Sequence, residues 1–269
     1  MTRLGALIVT YGRPAILGDC LSALGGSRRP PDITVVVDNS PDCWPDPPAG
    51  IRYLWSGRNL GLPGGIALGL RSLAGADHVL ILDDDTVLSE DAIGLLLEPF
   101  TDPTVGVVAV PGPFTRKCAS ADPPTVVPWS PSVFSRTAIE AAGAPREDLF
   151  FGWCDWEYAT RVVRAGYRVV WVDIELPVQS LERNWLGRKY LSSRNTAYLV
   201  TRRKVDEPYL RRHLAQLLRV AARAPASDVR RAQRRGLVDG LVGRLGPPPV
   251  DFMPRTSQVD RRRTGHNER

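Results

Sequence analysis

The sequence contains no CxxC pair. Its four cysteines, Cys20, Cys43, Cys118 and Cys154, stand far apart, which excludes the spacing of a structural zinc site and supplies no disulfide framework. A reducing, cytoplasmic setting is therefore expected. Histidine is scarce as well, with only His78, His213 and His266. No run approaches the roughly 20 apolar residues of a membrane-spanning helix. The apolar stretch inside the opening MTRLGALIVTYGRP is too short for a secretory signal and fits a first β-strand better. A Gly-Lys-Ser/Thr phosphate loop is missing, and the chain shows no internal repeat.

What is present is the composition of a globular protein: 269 residues, 43% hydrophobic and 24% charged. That length is near the upper limit for one core, so one main domain with an appendage is expected. The 24 prolines and 24 glycines gather in stretches such as Pro45–Gly50 and Pro247–Pro249, consistent with working loops on a regular scaffold. Charge is divided unevenly. Residues 202–269 hold 17 Arg and Lys against 7 Asp and Glu, a net of +10. The whole chain carries +6, which leaves −4 for residues 1–201. The basic part could face anionic lipid or a phosphorylated acceptor, or be a solvated helical face with a disordered tail; nucleic acid is not the expected partner.

Apolar, β-branched runs alternate with helix-compatible ones. Leu4–Thr10, Ile33–Asp38, Ile51–Trp55, His78–Leu82 and Val105–Val110 read as strands. Pro14–Leu24, Gly64–Leu73 and Ser89–Phe100 read as helices, the last with Ser89 as N-cap. A Pro-rich irregular stretch follows from Pro111 to Pro131. Ser132–Ser135 then reads as a strand, Arg136–Ala142 and Asp155–Ala165 as helices, and Arg168–Val172 as a strand. Near-continuous apolar strands separated by helices imply a mostly parallel sheet covered on both faces. Ligands of such sheets sit at the carboxyl ends of the strands, where this chain places Thr10-Tyr11, Asp38-Asn39 and Asp83-Asp84-Asp85. Further on, Leu210, Leu214, Leu217, Leu218 and Ala221 form the apolar stripe of an amphipathic helix carrying Arg211, Arg212, Arg219 and Arg223. Val229–Leu245 is a second basic stretch. The expected division is 1–201 for the main α/β domain, 202–245 for a basic helical extension and 246–269 for a disordered tail.

The segment ending His78-Val-Leu-Ile-Leu-Asp83-Asp84-Asp85 carries the most chemistry. Alternation along a strand puts Asp83 and Asp85 on one side and Asp84 on the other. Carboxylates converging at a sheet edge repel unless a cation lies between them, and hard oxygen ligands select Mg²⁺ or Mn²⁺. The alternative is an acidic loop that caps the following helix.

In order and spacing, several segments resemble the family-2 inverting glycosyltransferases of the GT-A fold, especially the rhamnosyl- and galactofuranosyl-transferase branch. They are Thr10-Tyr11-Gly12-Arg13, Val37-Asp38-Asn39-Ser40, Arg58-Asn59-Leu60-Gly61-Leu62-Pro63-Gly64-Gly65, Asp83-Asp84-Asp85, and Phe151-Gly152-Trp153-Cys154-Asp155-Trp156-Glu157 with Arg161 and Gly166-Tyr167. Arg194-Asn195 resembles a pair common further along in this branch. The likeness covers roughly residues 4–200. It implies an α/β domain of GT-A type that moves a sugar from a UDP- or dTDP-sugar to a glycan, lipid-linked or small-molecule acceptor. On this likeness Asp83 and Asp85 hold the metal. Thr10, Tyr11, Arg13, Asp38, Asn59, Gly65 and Asp84 meet the nucleotide sugar. Asp155 is the general base, and Trp153, Trp156 and Glu157 lie on the acceptor side.

Each assignment has a plainer counterpart: an Asx turn for Asp38, a loop that packs a helix on the sheet for Asn59 to Gly65, and an N-cap for Asp155. Two departures from the family stand out. Cys154 occupies a position that is often acidic before the base. The stretch Leu176–Arg183 lacks the His that often completes the metal site, leaving Gln179 or Glu182 as substitutes. Two other functions fit less of the chain: a decayed relative that only binds nucleotide or glycan, and a sugar-1-phosphate nucleotidylyltransferase. A peripheral place at the inner membrane face is compatible with the basic extension.

Overall fold

The central strands are built from residues that prefer a sheet buried on both faces. β1 (Leu4–Thr10) is buried along almost its whole length, as are the inner residues of β2 (Ile33–Asp38) and β4 (His78–Asp83). β3 (Ile51–Trp55) lies at the edge and is only half-buried. With β5 (Val105–Ala109), β6 (Ser132–Ser135) and β7 (Arg168–Trp171) they form one seven-stranded sheet in the order β3-β2-β1-β4-β6-β5-β7. All pairings are parallel except those of β6, which runs antiparallel to β4 and β5. From β1 the order runs outward to β2 on one side and β4 on the other. This switch opens a crevice at the carboxyl ends of those three strands.

The computed structural model describes residues 2–111, 127–175, 186–203, 208–223 and 227–253. The chain divides into two compact units, Met1–Pro145 with Asp155–Ser180, and Arg146–Cys154 with Leu181–Arg269. The first unit holds the sheet and the helices α1 (Pro14–Gly25), α2 (Gly61–Ser72), α3 (Ala92–Leu97) and α4 (Arg136–Ala142). It also holds all of α5 (Cys154–Arg164) beyond its first residue. Pro14 starts α1 at the position where a missing N–H costs nothing. Leu17, Cys20 and Leu24 turn one face of that helix into the core, where Leu4, Ile8, Val36, Leu80 and Val108 meet it. Ser135 caps α4, its Oγ accepting from the Ala138 N–H at 3.3 Å.

Three helix starts differ from expectation. The helix expected over Ser89–Phe100 is α3 followed by a 3₁₀ turn at Glu98–Thr101, because Pro99 has no N–H with which to continue an α-helix. Ser89 offers only its carbonyl to the Ala92 N–H and is no side-chain cap. α2 begins at Gly61 rather than Gly64, since Pro63 is tolerated in a first turn. α5 begins at Cys154, so Asp155 lies inside the helix instead of capping it.

The second unit is helical: α6 (Leu186–Thr201), α7 (Pro208–Arg223) and α8 (Asp228–Val242). α6 packs against α8, so contacts place the division elsewhere than the expected boundary at 201/202. Small residues permit the packing. A Cβ on Gly236 would stand 2.2 Å from the Tyr190 carbonyl oxygen, and one on Gly240 2.2 Å from that of Arg194. Beside this crossing the buried Asp239 carboxylate accepts from Tyr190 Oη at 3.0 Å and Arg235 Nε at 2.8 Å. In α7 Leu210 and Leu217 are buried and Leu214 and Ala221 pack beside them, while Leu218 leaves the expected stripe for solvent. Residues 246–253, expected as tail, join the core of this unit. Phe252 is buried with Phe150, Tyr190, Leu191 and Ala232. The rest of that tail lies outside the described residues.

Gly236→Ala tests the helix crossing. Helix propensity favours alanine by up to about 1 kcal/mol, but here the clash is with backbone, so overpacking should win by roughly 1–3 kcal/mol. A lowered midpoint of thermal or urea unfolding is expected. A midpoint equal to or above the parent's would show that the helices have room to spare.

Candidate active site

Register brings the polar strand ends together: Thr10 lies opposite Asp38, and Val9 opposite Asp83. β4 ends at Asp83, and Asp84 and Asp85 occupy the turn beyond it. Strand alternation therefore stops short of the whole triplet. Contrary to the expected arrangement, Asp84 and Asp85 both approach one guanidinium, that of Arg13. Asp84 is 2% exposed and is held by a fork: Arg13 donates through Nε at 3.1 Å to Oδ2 and through Nη2 to Oδ1. Thr10 Oγ1 donates to Oδ2 at 2.7 Å. Burial pushes the Asp84 carboxyl up to about 6, against the pull of Arg13 and Thr10 and with a further push from Asp83 and Asp85. At neutral pH it is still ionised, so the fork is an ion pair. Arg13 Nη1 also lies 3.5 Å from Asp85 Oδ2.

The turn backbone is pinned separately. The Asp83 N–H donates to Ser130 Oγ at 2.7 Å, and the Asp83 carbonyl accepts from the Thr86 N–H at 3.1 Å. Thr10, Arg13 and Asp84, expected to meet the nucleotide sugar, are thus bonded to one another. Tyr11 beside them is half-buried.

Asp38 anchors a second network. Its Oδ1 accepts from the Ser40 N–H at 2.8 Å and from Ser40 Oγ, while its Oδ2 accepts from Tyr53 Oη at 2.6 Å. The Asx turn is therefore real. Ser40 Oγ in turn accepts from the Gly12 N–H at 2.7 Å, which ties the β1 loop to the β2 loop; Gly12 itself needs its φ of +66°. Burial, then the bond to Asp38, pushes the Tyr53 phenol up to about 12, so it remains a donor.

The Asn59–Gly65 segment serves helix α2. Asn59 Oδ1 accepts from the Gly61 N–H at 2.9 Å, and Asn39 Nδ2 donates to the Gly61 carbonyl at 2.9 Å. A Cβ on Gly65 would come within 2.6 Å of Val9 Cγ1. Close packing of α2 on β1 thus accounts for Gly65.

At the start of α5, Asp155 is half-buried, and its Oδ1 accepts from the Trp156 N–H at 2.9 Å. Trp156 is buried, and Glu157 pairs with Arg161 one turn on, at 3.2 Å. Cys154 is buried too. Trp153 belongs to the second unit, where its ring lies 5.8 Å from Tyr209 and 5.5 Å from His213. Phe150, Gly152 and Trp153 all have positive φ, at 60°, 78° and 63°; at Phe150 and Trp153, which carry a Cβ, this is a costly backbone that persists only where its surroundings enforce it.

Sequence reasoning missed Tyr53 and Ser130, because cross-strand partners leave no local signal. Ser40 stood in a quoted motif without a role. Gln179 and Glu182 lie outside the described residues. Among the described residues no group of three or more His, Cys, Asp or Glu is arranged to hold a metal. Two carboxylates do suit Mg²⁺ or Mn²⁺, which need only one or two from the protein when phosphate oxygens complete the shell. Asp84 is buried against Arg13, and Asp83 and Asp85, the latter also 3.5 Å from Arg13, are two carboxylates of that chemistry.

A mostly parallel seven-stranded sheet with this polar crevice is a GT-A-type fold. A mannosyltransferase from Pyrobaculum calidifontis, solved with GDP-Man and Mn²⁺, shares it at TM-score 0.66 and 18% identity, over 89% of this chain and 87% of that one. Glucosyl-3-phosphoglycerate synthase of Mycobacterium tuberculosis, solved with Mn²⁺ and UDP, does so at 0.54 and 15%, over 77% and 82%. Residues 6–137 match the profile of Glycosyl transferase family 2. The chain carries a family 2 glycosyltransferase domain. It is also 44% identical over 90 residues to galactofuranosyltransferase GlfT1 of Mycobacterium tuberculosis, a stretch that is 30% of this chain and 29% of that relative.

Arg13→Met should leave the Asp84 carboxylate buried without its cation, at a cost on the order of 3 kcal/mol. Adding Asp84→Asn should recover most of the loss, because the stranded charge goes with it. Urea unfolding of the two variants decides; a single variant as stable as the parent would show the fork to be ornamental.

Proposed function

We propose that the protein is an inverting glycosyltransferase that moves a sugar from a UDP- or dTDP-sugar to an acceptor hydroxyl. The observation that carries this reading is the acidic end of β4 within a GT-A sheet, set beside Thr10, Arg13 and Asp38 at the crevice. The likeness to a galactofuranosyltransferase makes a galactofuranosyl donor the first to test.

In this reading Asp38 Oδ2, whose second lone pair faces no described partner, accepts a hydrogen bond from the base. Tyr53 and Ser40 hold that carboxylate in place. Asp83 and Asp85 hold Mg²⁺ or Mn²⁺, which supplies positive charge to the departing diphosphate. Asp155, at the amino end of α5, takes the proton of the acceptor hydroxyl as its oxygen attacks the anomeric carbon opposite the diphosphate. Glu157 is engaged by Arg161 and is the poorer candidate base. Trp153 and Trp156 serve the acceptor side, and Cys154 has no part in the proton transfer.

The acceptor is a glycan, lipid-linked or small-molecule compound. Exposed Arg211, Arg212 and Arg219 on α7 support contact with an anionic membrane surface. No helix among the described residues is long and apolar enough to cross a membrane.

Asp155→Asn preserves size while removing proton acceptance. Transfer at saturating donor should fall by roughly 10²–10⁴-fold, with donor affinity almost unchanged and Cys154→Ala costing far less. Near-parental transfer by Asp155→Asn would move the search for the base to Glu157.

A further inference from the structure

The segment between the 3₁₀ turn Glu147–Leu149 and α5 has no regular structure, yet it must deliver the chain to Asp155. Its carbonyls find no ladder partners, and three of its four residues from Phe150 to Trp153 have positive φ. Left alone, such a stretch would relax, and a buried carbonyl without a donor is seldom tolerated.

Two adjacent residues of α6 supply what the segment lacks. Asn195, wholly buried, donates through Nδ2 to the carbonyls of Leu149 at 2.9 Å, Phe151 at 3.0 Å and Gly152 at 2.8 Å. Arg194, equally buried, donates through Nη2 to Leu149 at 2.8 Å and Asp148 at 3.4 Å. Its Nε donates to Asn195 Oδ1 at 2.9 Å, which fixes which way the amide faces. Its Nη1 donates to the Gly246 carbonyl. Tyr190 also pairs with this buried cation, whose other bonds go to carbonyl and amide oxygens. A hydrophobic side chain would fill the same space without the desolvation of a charge. A charge kept there to hold three backbone carbonyls, beside an amide that holds two more, points to positioning.

We propose that Arg194 and Asn195 form a clamp that positions Asp155 by fixing the backbone just before α5. Gly152, the last carbonyl held, is three residues from Asp155. The proposal rests on Asp155 being the general base. Both residues are positioning residues; neither touches a reacting atom.

Asn195→Asp is nearly isosteric but faces three carbonyls with a carboxylate, and Asn195→Ser retains a single short donor. Turnover at saturating substrates should fall about 10- to 100-fold in each, as misplacement of a catalytic group does, with the donor dissociation constant unchanged by titration calorimetry. In an Asp155→Asn background the same substitutions should cost nothing further, since the group they position is gone. If Asp155→Asn loses transfer but the Asn195 losses multiply with it, or fall equally on donor affinity, the clamp is overturned and the base assignment stands. If Asp155→Asn retains transfer, the base assignment fails and takes the clamp with it. Two Asn195 variants that both fail to fold would assign the pair to stability alone, which also overturns the proposal.

Discussion

Three successive carboxylates at the end of a central strand repel one another, and the fold sets Arg13 against two of them. Arg13 forks onto Asp84 and reaches Asp85, while Thr10 closes the remaining side of Asp84. The middle carboxylate is buried in this ion pair, and the proposed function assigns the metal to the two that flank it. β1 must run beside β4 to bring Thr10 and Arg13 within reach, and the Asp38–Ser40–Gly12 bonds hold the loops in that relation.

Most of the scaffold was legible in the sequence because apolar β-branched runs set strand limits sharply. β1, β2, β3 and β6 begin and end where the pattern places them. Helix starts were less legible, and each miss has a local cause: Pro99 splits one helix, Pro63 is accepted within another, and Cys154 starts a third. That Asp85 approaches the same guanidinium as Asp84 was not legible, because β4 ends at Asp83 and the two lie in the turn beyond it.

The site was legible as a set of residue types and illegible as a set of bonds. That Asp38 shares its carboxylate with Tyr53 depends on the pairing of β2 with β3, which no short motif encodes. Gly65 has a packing reason as firm as any ligand-facing one, since Val9 leaves no space for a Cβ. Arg194 and Asn195 could be noticed as a familiar pair, yet their bonds to residues 148–152 span more than forty positions of sequence.

The central proposal is that Asp83 and Asp85 hold a divalent ion together with a nucleoside diphosphate. Titration calorimetry of UDP and dTDP, with Mn²⁺ or with chelator, on the parent and on Asp85→Ala tests it directly. The account predicts Mn²⁺-dependent binding by the parent and its loss in Asp85→Ala, with thermal unfolding little changed. Equal binding by the two proteins, or binding by the parent that ignores the metal, would contradict it.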